Sequence, residues 1–403
     1  MRILYVTPLW SGFRDILLDG AKNAKGMPAF INPLKKLVEL GHQVDIIITE
    51  FGISEKNLNV SSNWLDRTRI IFVNWDMKGY KKILSSIRLC SLVNSILTEN
   101  KYDFVYGHGS IGSMANIVAN LHGIPCGIRL YGTFLASEIN RVSNIRIAIR
   151  HPLEYLAFKL PKDFLLITND GTRGDQVYDH LTKHTANYKF YFMLNGVDLP
   201  DRIFNGKNDE INIEQFKIPF MIYPARIARW KRQHLAIDIL RGLHDNRLPI
   251  HLYFAGHITD TDYWNEIKNI IADYGLTPFV TYLGTVDNKV LNCLYQNAVV
   301  VLSLYELSNL GNVVIEALSS GAVVLSLNDG SLDAIVTNGQ NAILVDNSTE
   351  AIEQILSIYE DENKSLGIRK SAIEIASGVF KDWDTRAEEE IQLIENAVIK
   401  KVH

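Results

Sequence analysis

Arg226 and Lys231, five residues apart, follow the apolar run FMIYPA and precede a stretch of helical period. A guanidinium and an ammonium at one strand end and one helix N-terminus suit a diphosphate. Arginine grips two oxygens in a fork, lysine adds a point charge, and the opening helical amides point at the anion. At ~4 Å and an effective dielectric of about 20, each such charge is worth about 4 kcal/mol in Coulomb terms, enough to stabilise a departing nucleotide. Arg229 and Arg232 stand beside the pair, so a solvated basic turn is the plain alternative.

A second constellation is YELSNLGNVVIEALSSG, starting at Tyr305. Asn309, Gly311 and Asn312 permit a turn that frees backbone amides for an anion, ahead of a helix beginning near Gly311. Glu316 lies on that helix among Val313, Val314, Ile315, Ala317 and Leu318. A carboxylate in that company needs a partner, and two sugar hydroxyls would serve; otherwise it is one surface residue of an amphipathic helix. His108 sits in GHGSIGS, which matches the dinucleotide pattern GxGxxG but has no ribose-binding acid at a strand end some 20 residues on. The string reads as a glycine-rich loop facing a cleft, with His108 either touching a sugar or acceptor or merely holding the loop. Asp260 and Asp262 in TDTDY have the spacing of a metal-binding pair, yet adjacent carboxylates in a polar loop are usually solvated. With Arg226 and Lys231 supplying positive charge, no metal is expected.

These residues need a frame. Uniformly apolar runs alternate with helical segments along the whole chain: RILYVTP, QVDIIIT, YDFVYGH and DFLLITN early, FMIYPAR, IHLYFAG and VVVLSLY late. Strands apolar on both faces belong to parallel sheets covered by helices. With 403 residues, 47% of them hydrophobic, the chain can bury two cores. The fold expected is α/β, two doubly wound Rossmann-like domains facing a cleft. The polar stretch LPDRIFNGKNDEINIEQ interrupts the rhythm, giving a domain over 1–198, a second over 199–378 and terminal helices over 379–403 that pack back toward the first. A single basic helix is expected near 144–160, packed between sheet and cleft rather than on lipid, and a short helix over Leu332–Thr337. A net charge of −4 offers no basic field for nucleic acid. Cys90, Cys126 and Cys293 are scattered and odd in number, which fits a reducing cytosol, and the first segment lacks a signal peptide's long apolar region. The location expected is cytoplasmic, with contact at the inner membrane face as the furthest association.

The second half resembles glycosyltransferase family four, retaining enzymes of GT-B fold. The resemblance rests on NGVD at 195–198, Arg226 with Lys231, FAG at 254–256, VTYLGTV at 280–286 and the EALSSG helix followed by VVLS. LVELGHQV, IPCGIRLYGT and LEYLAFKLPKDFLLITND extend it loosely over the first half. It implies a hexosyltransferase-like enzyme of polysaccharide or glycoconjugate biosynthesis. The donor would be a UDP- or GDP-sugar held by the second domain, used as substrate with no cofactor, and the acceptor a sugar, lipid-linked or protein hydroxyl on the first domain's side. Carried residue by residue, Arg226 and Lys231 would bind the diphosphate and Glu316 the ribose. Gly284, Thr285 and Val286 would lie beside the base. Gly256 and the loop Asn309, Leu310, Gly311, Asn312 would complete the donor contacts, and Gly26 would let backbone approach the diphosphate. The family usually places a first glutamate with seven residues between it and the second; that position here is Ser308, and the nearest acid is Glu306. Either could serve. Tyr131 stands where many members have histidine, so an acceptor-side role falls to it or to His108. Two rivals stay open: a nucleotide-sugar-binding subunit without turnover, kept alive by the glutamate spacing, and a sugar-nucleotide epimerase, for which no convincing acid–base pair is found.

Overall fold

The computed structural model describes residues 1–24, 26–76, 80–183, 185–198, 216–217 and 219–402. The polar stretch at 199–215, where the domain boundary is expected, lies outside the described residues. The chain divides into two compact units, Met1–Gly196 together with Trp383–His403, and Val197–Asp382.

Unit 1 runs β1 (Arg2–Pro8), α1 (Ser11–Leu17), α2 (Pro28–Glu39), β2 (Gln43–Glu50), β3 (Arg69–Asn74), α3 (Tyr80–Glu99), β4 (Phe104–His108), α4 (Gly112–Leu121) and β5 (Cys126–Leu130). It continues with α5 (Asn144–Arg150), α6 (Pro152–Lys159), β6 (Phe164–Thr168), α7 (Gly174–Thr182) and β7 (Lys189–Met193). The strands form one parallel sheet in the order β3-β2-β1-β4-β5-β6-β7. Ile3, Leu4, Tyr5 and Val6 are all fully buried, as a strand covered by helices on both faces must be.

Unit 2 runs β8 (Phe220–Pro224), α8 (Gln233–Asp245), β9 (His251–Ala255), α9 (Thr261–Asp273), β10 (Val280–Tyr282), α10 (Asn288–Asn297), β11 (Val300–Ser303) and α11 (Asn312–Ser319). Then come β12 (Val324–Leu327), β13 (Ile343–Val345), α12 (Ser348–Glu360) and α13 (Glu362–Val379). Its sheet is also parallel, in the order β10-β9-β8-β11-β12-β13. The last helix, α14 (Trp383–Val402), belongs to unit 1, where it packs on α2 and Lys36 meets Asp384 at 3.3 Å and Glu388 at 3.0 Å.

Two local expectations are corrected, and one helix is added. The helix near 144–160 is two, because Pro152 cannot donate to the preceding turn and His151 leaves helical geometry between them. Leu332–Thr337 is a turn, in which the Ile335 and Val336 amides both donate to the Leu332 carbonyl. The 18 residues of α13 are not foreseen at all; Arg369 anchors them, donating to the Gln296, Ala298 and Gly321 carbonyls at the ends of α10 and α11.

Candidate active site

Each sheet reverses its winding once, between β1 and β4 and between β8 and β11, and a crevice opens at the carboxyl ends of strands on either side of such a switch. In unit 2 the chain leaving β8 carries Arg226 and Lys231, and the chain leaving β11 carries Tyr305 to Glu316. The two loops are stitched together. The Tyr305 hydroxyl donates to the Pro224 carbonyl at 3.2 Å, the Glu306 amide donates to the Trp230 carbonyl at 3.0 Å, and the Tyr223 hydroxyl donates to the Lys231 carbonyl. Buried Gln233, first residue of α8, donates to the Arg226 carbonyl at 2.9 Å.

Lys231 ends a single 3₁₀ turn, Arg229–Lys231. Its Nζ lies 3.2 Å from the centre of the Tyr305 ring and 4.0 Å from that of Trp230. Burial, and then the nearby Arg226 charge, lower its pKa to about 7. Arg226 itself is exposed. Two cations thus stand together with a ring face against the inner one and, among the described residues, no acid.

Glu316 is the opposite case. It is half-buried on α11, and burial, with Asp198 adding repulsion, raises its pKa to about 7. Among the described residues no cation offsets this. Tyr305 meets the Lys231 ammonium on its ring face and feels the Glu316 charge as well. Groups perturbed in this way, at the switch point of a parallel sheet, mark a candidate functional site.

The surrounding residues divide by role. Asn309, fully buried, is engaged within its own loop: its Oδ1 accepts from the Ser303 hydroxyl at 3.0 Å and the Tyr305 amide at 2.9 Å, and its Nδ2 donates to Asp329 at 2.9 Å. Its side chain is thereby directed to Asp329 and the loop rather than to a donor. Leu310 is buried as well, while Gly311 is the N-cap of α11 and has open space where a Cβ would stand. Asn312 opens that helix, half-exposed. Ser308 accepts from the Leu310 amide at 3.2 Å, and Glu306 points its side chain outward, exposed. Gly256 is required by close approach, since φ is +143° and a Cβ would run into the Ala225 carbonyl. Its amide donates to the Gly284 carbonyl at 2.7 Å, which ties the loops after β9 and β10 together. Thr285 is exposed and Val286 half-exposed beyond them. Asp260 caps α9, its Oδ1 accepting the Tyr263 amide at 2.9 Å.

Unit 1 corrects the reading of His108. It is the last residue of β4, 1% exposed, stacked on Tyr5 at 4.5 Å and edge-on to Tyr106 and Phe30, so it does not line an open loop. Burial drives its pKa well below the usual value, and its Nδ1 is 2.8 Å from the half-exposed Tyr131 hydroxyl. Two glycines of GHGSIGS serve packing, because a Cβ on Gly107 would come within 2.5 Å of the Gly112 Cα. The backbone of Gly26 fills the space where Gly12 would carry a Cβ, so the pair lets the chain before α2 cross α1.

Residues 207–375 match the family model described as glycosyl transferases group 1. The chain is a glycosyltransferase. Its fold is GT-B: Anabaena Alr3699/HepE, solved in complex with UDP, is similar with a TM-score of 0.69 at 17% identity, over 98% of this chain and 100% of that one. Sucrose-phosphate synthase from Thermosynechococcus elongatus gives 0.72 at 16% identity, over 98% of each. The D-inositol 3-phosphate glycosyltransferase of Paenarthrobacter aurescens (strain TC1) is 21% identical over 360 residues, 85% of this chain and 86% of that protein. In this glycosyltransferase the residues missed by sequence reasoning are Tyr305 and Trp230, whose rings hold Lys231; an aromatic at a strand end next to a basic turn is the signal for them.

Proposed function

We propose that this glycosyltransferase is a retaining, metal-independent member of family four that takes its sugar from a nucleoside diphosphate donor bound in unit 2. The observation carrying the reading is the ammonium of Lys231, largely withdrawn from water, set beside Arg226 and, among the described residues, without an acid. A diphosphate would supply the missing negative charge, with Arg226 meeting its outer oxygens. Glu316, with no cation beside it among the described residues, would accept the two ribose hydroxyls, and the start of α11 at Gly311 and Asn312 would face the sugar phosphate. The likeness to HepE, solved with UDP, makes a uridine nucleotide the first to test.

In the reaction the bond between the sugar's anomeric carbon and the diphosphate oxygen breaks with its electron pair going to the diphosphate. A bond from the acceptor oxygen forms on the same face, and the hydroxyl proton passes to the departing phosphate. Lys231 and Arg226 meet charge as it develops there, which is the reason no metal is needed. Isothermal titration with UDP, GDP and their sugars tests the reading. Micromolar binding that is weakened, not abolished, in Lys231→Ala and unaffected by EDTA supports it; equal binding by that variant overturns it. Transfer to an added acceptor, compared with release of free sugar, separates an enzyme from a binding subunit.

A further inference from the structure

Lys162, in the loop before β6, is 6% exposed. Its Nζ lies 3.7 Å from the centre of the Tyr188 ring and donates to the Leu160 carbonyl. The Tyr188 hydroxyl donates to the Phe158 carbonyl at 2.5 Å, which fixes that ring in place. Burial lowers the Lys162 pKa to about 7, and among the described residues no acid forms an ion pair with it. An ammonium withdrawn from water needs compensating charge, and one carbonyl with one ring face supplies only part of it.

Lys162 lines a cavity of about 290 Å³ at the amino ends of β6 and β7, the end of the sheet opposite the switch-point crevice. Lys189, the first residue of β7, and Lys400, near the end of α14, line it too; both are exposed, and among the described residues neither is in an ion pair. Asp163 is the single acid in the described lining, and its Oδ2 accepts from the Cys126 amide at 2.8 Å. With its three lysines protonated the cavity therefore carries an excess of two positive charges, in a chain whose net charge is −4. A phosphate monoester brings close to two negative charges at neutral pH, whereas a carboxylate brings one. The rest of the lining suits a hydroxylated ring, since Tyr191 offers apolar surface and the Asn187 and Asn396 amides can both donate and accept. The volume is at the small end for ligand sites, right for one phosphorylated sugar ring and too small for a nucleotide sugar.

We propose that this cavity of unit 1 is a second binding site, separate from the transfer reaction, for a small phosphate monoester that carries a hydroxylated ring. The phosphate meets Lys162, Lys189 and Lys400, and the ring lies against Tyr191 with its hydroxyls on Asn187 and Asn396. So placed, the ligand ties the end of α14 to the first residues of β6 and β7. The inference does not depend on the donor reading, because the site shares no residue with the loops leaving β8 and β11.

Isothermal titration of the full chain with ribose 5-phosphate tests it, at about pH 7.5 where the ester is mostly dianionic. Saturable binding is expected, with ribose silent and inorganic phosphate weaker by about tenfold or more. Lys162→Met keeps the apolar stem and removes a buried charge, so it should fold at least as well as the parent while weakening the ester by about tenfold or more. Lys400→Glu, at an exposed position, should weaken it as well without disturbing the core. Ribose 5-phosphate should raise the melting temperature of the parent and not that of Lys162→Met. Binding should be unchanged in Lys231→Ala and in the presence of UDP, so that failure of the donor reading, seen as no UDP binding, is told apart from failure of this one. Binding that is absent, that inorganic phosphate equals, that UDP or Lys231→Ala removes, or that both Lys162→Met and Lys400→Glu leave unmoved overturns the proposal.

Discussion

The ammonium of Lys231 stands 3.2 Å from the centre of the Tyr305 ring, at the point where the loops leaving β8 and β11 meet. A ring face stabilises a cation by about 2 kcal/mol when both are withdrawn from water, less than the charge loses by burial. The site is therefore short of one anion.

That shortage sets the first prediction. Lys231→Ala should lower turnover with a UDP-sugar at saturating donor by about 100- to 1000-fold, the loss typical of one group that meets charge in the transition state. Circular dichroism and melting should show the variant folded, since the side chain makes no ion pair. Steady-state kinetics with separate kcat and KM decide it; an unchanged kcat removes Lys231 from the chemistry.

Proton uptake on binding follows from the same geometry. Burial and Arg226 hold the Lys231 pKa at about 7, and a bound diphosphate would raise it by restoring an opposite charge. Between about pH 7 and 9 the free protein is then partly neutral at this nitrogen, and the complex charged. UDP affinity should fall as pH rises through that window, by up to about tenfold per unit. Titration calorimetry in two buffers of different ionisation enthalpy should show a proton taken up at pH 8 and none in Lys231→Met.

Glu316 should reveal itself in stability rather than turnover alone. Its folded pKa of about 7 lies above the ordinary 4.5, so between those values the folded state holds more protons than the unfolded one. The favourable balance present below pH 4.5 is lost as pH rises through 7, and above that the buried charge is a full penalty. Glu316→Gln should raise unit 2's stability by about 1–3 kcal/mol at pH 8 and change it little at pH 5. Urea unfolding at both pH values checks it, and the same variant should bind UDP more weakly.

Much of this was readable from residue order, and the limits have physical causes. Buried parallel strands announce themselves as apolar runs because both faces are covered, so the alternation near FMIYPA and IHLYFAG marks β8 and β9 directly. Arg226 and Lys231 stand out in the sequence because two cations follow a buried strand directly, and both lie on the chain leaving β8. Tyr305 was not, since its partner lies more than 70 residues earlier and only the β8–β11 pairing brings them together. His108 misled for a related reason: three glycines suggested a ligand loop, whereas two of them let a helix press against a strand. The least legible stretch was EEEIQ at 388–392, where three consecutive acids look like a solvated surface.

One of those acids carries the last prediction. Glu390 is 1% exposed and accepts from the Tyr106 hydroxyl at 2.7 Å. Its other oxygen lies 3.3 Å from both Arg129 and Arg386, whose side chains are also buried. One carboxylate thus offsets two guanidiniums and fastens α14 to β4 and β5. Replacing it with glutamine keeps the shape but leaves both cations uncompensated, for a loss of about 3–5 kcal/mol. Removing one cation as well, in Arg129→Met with Glu390→Gln, should return part of that loss, because burying a charge without a partner costs more than burying none. Urea unfolding of the two variants measures the difference, and unchanged UDP binding by unit 2 at low urea would show that the damage stays in unit 1.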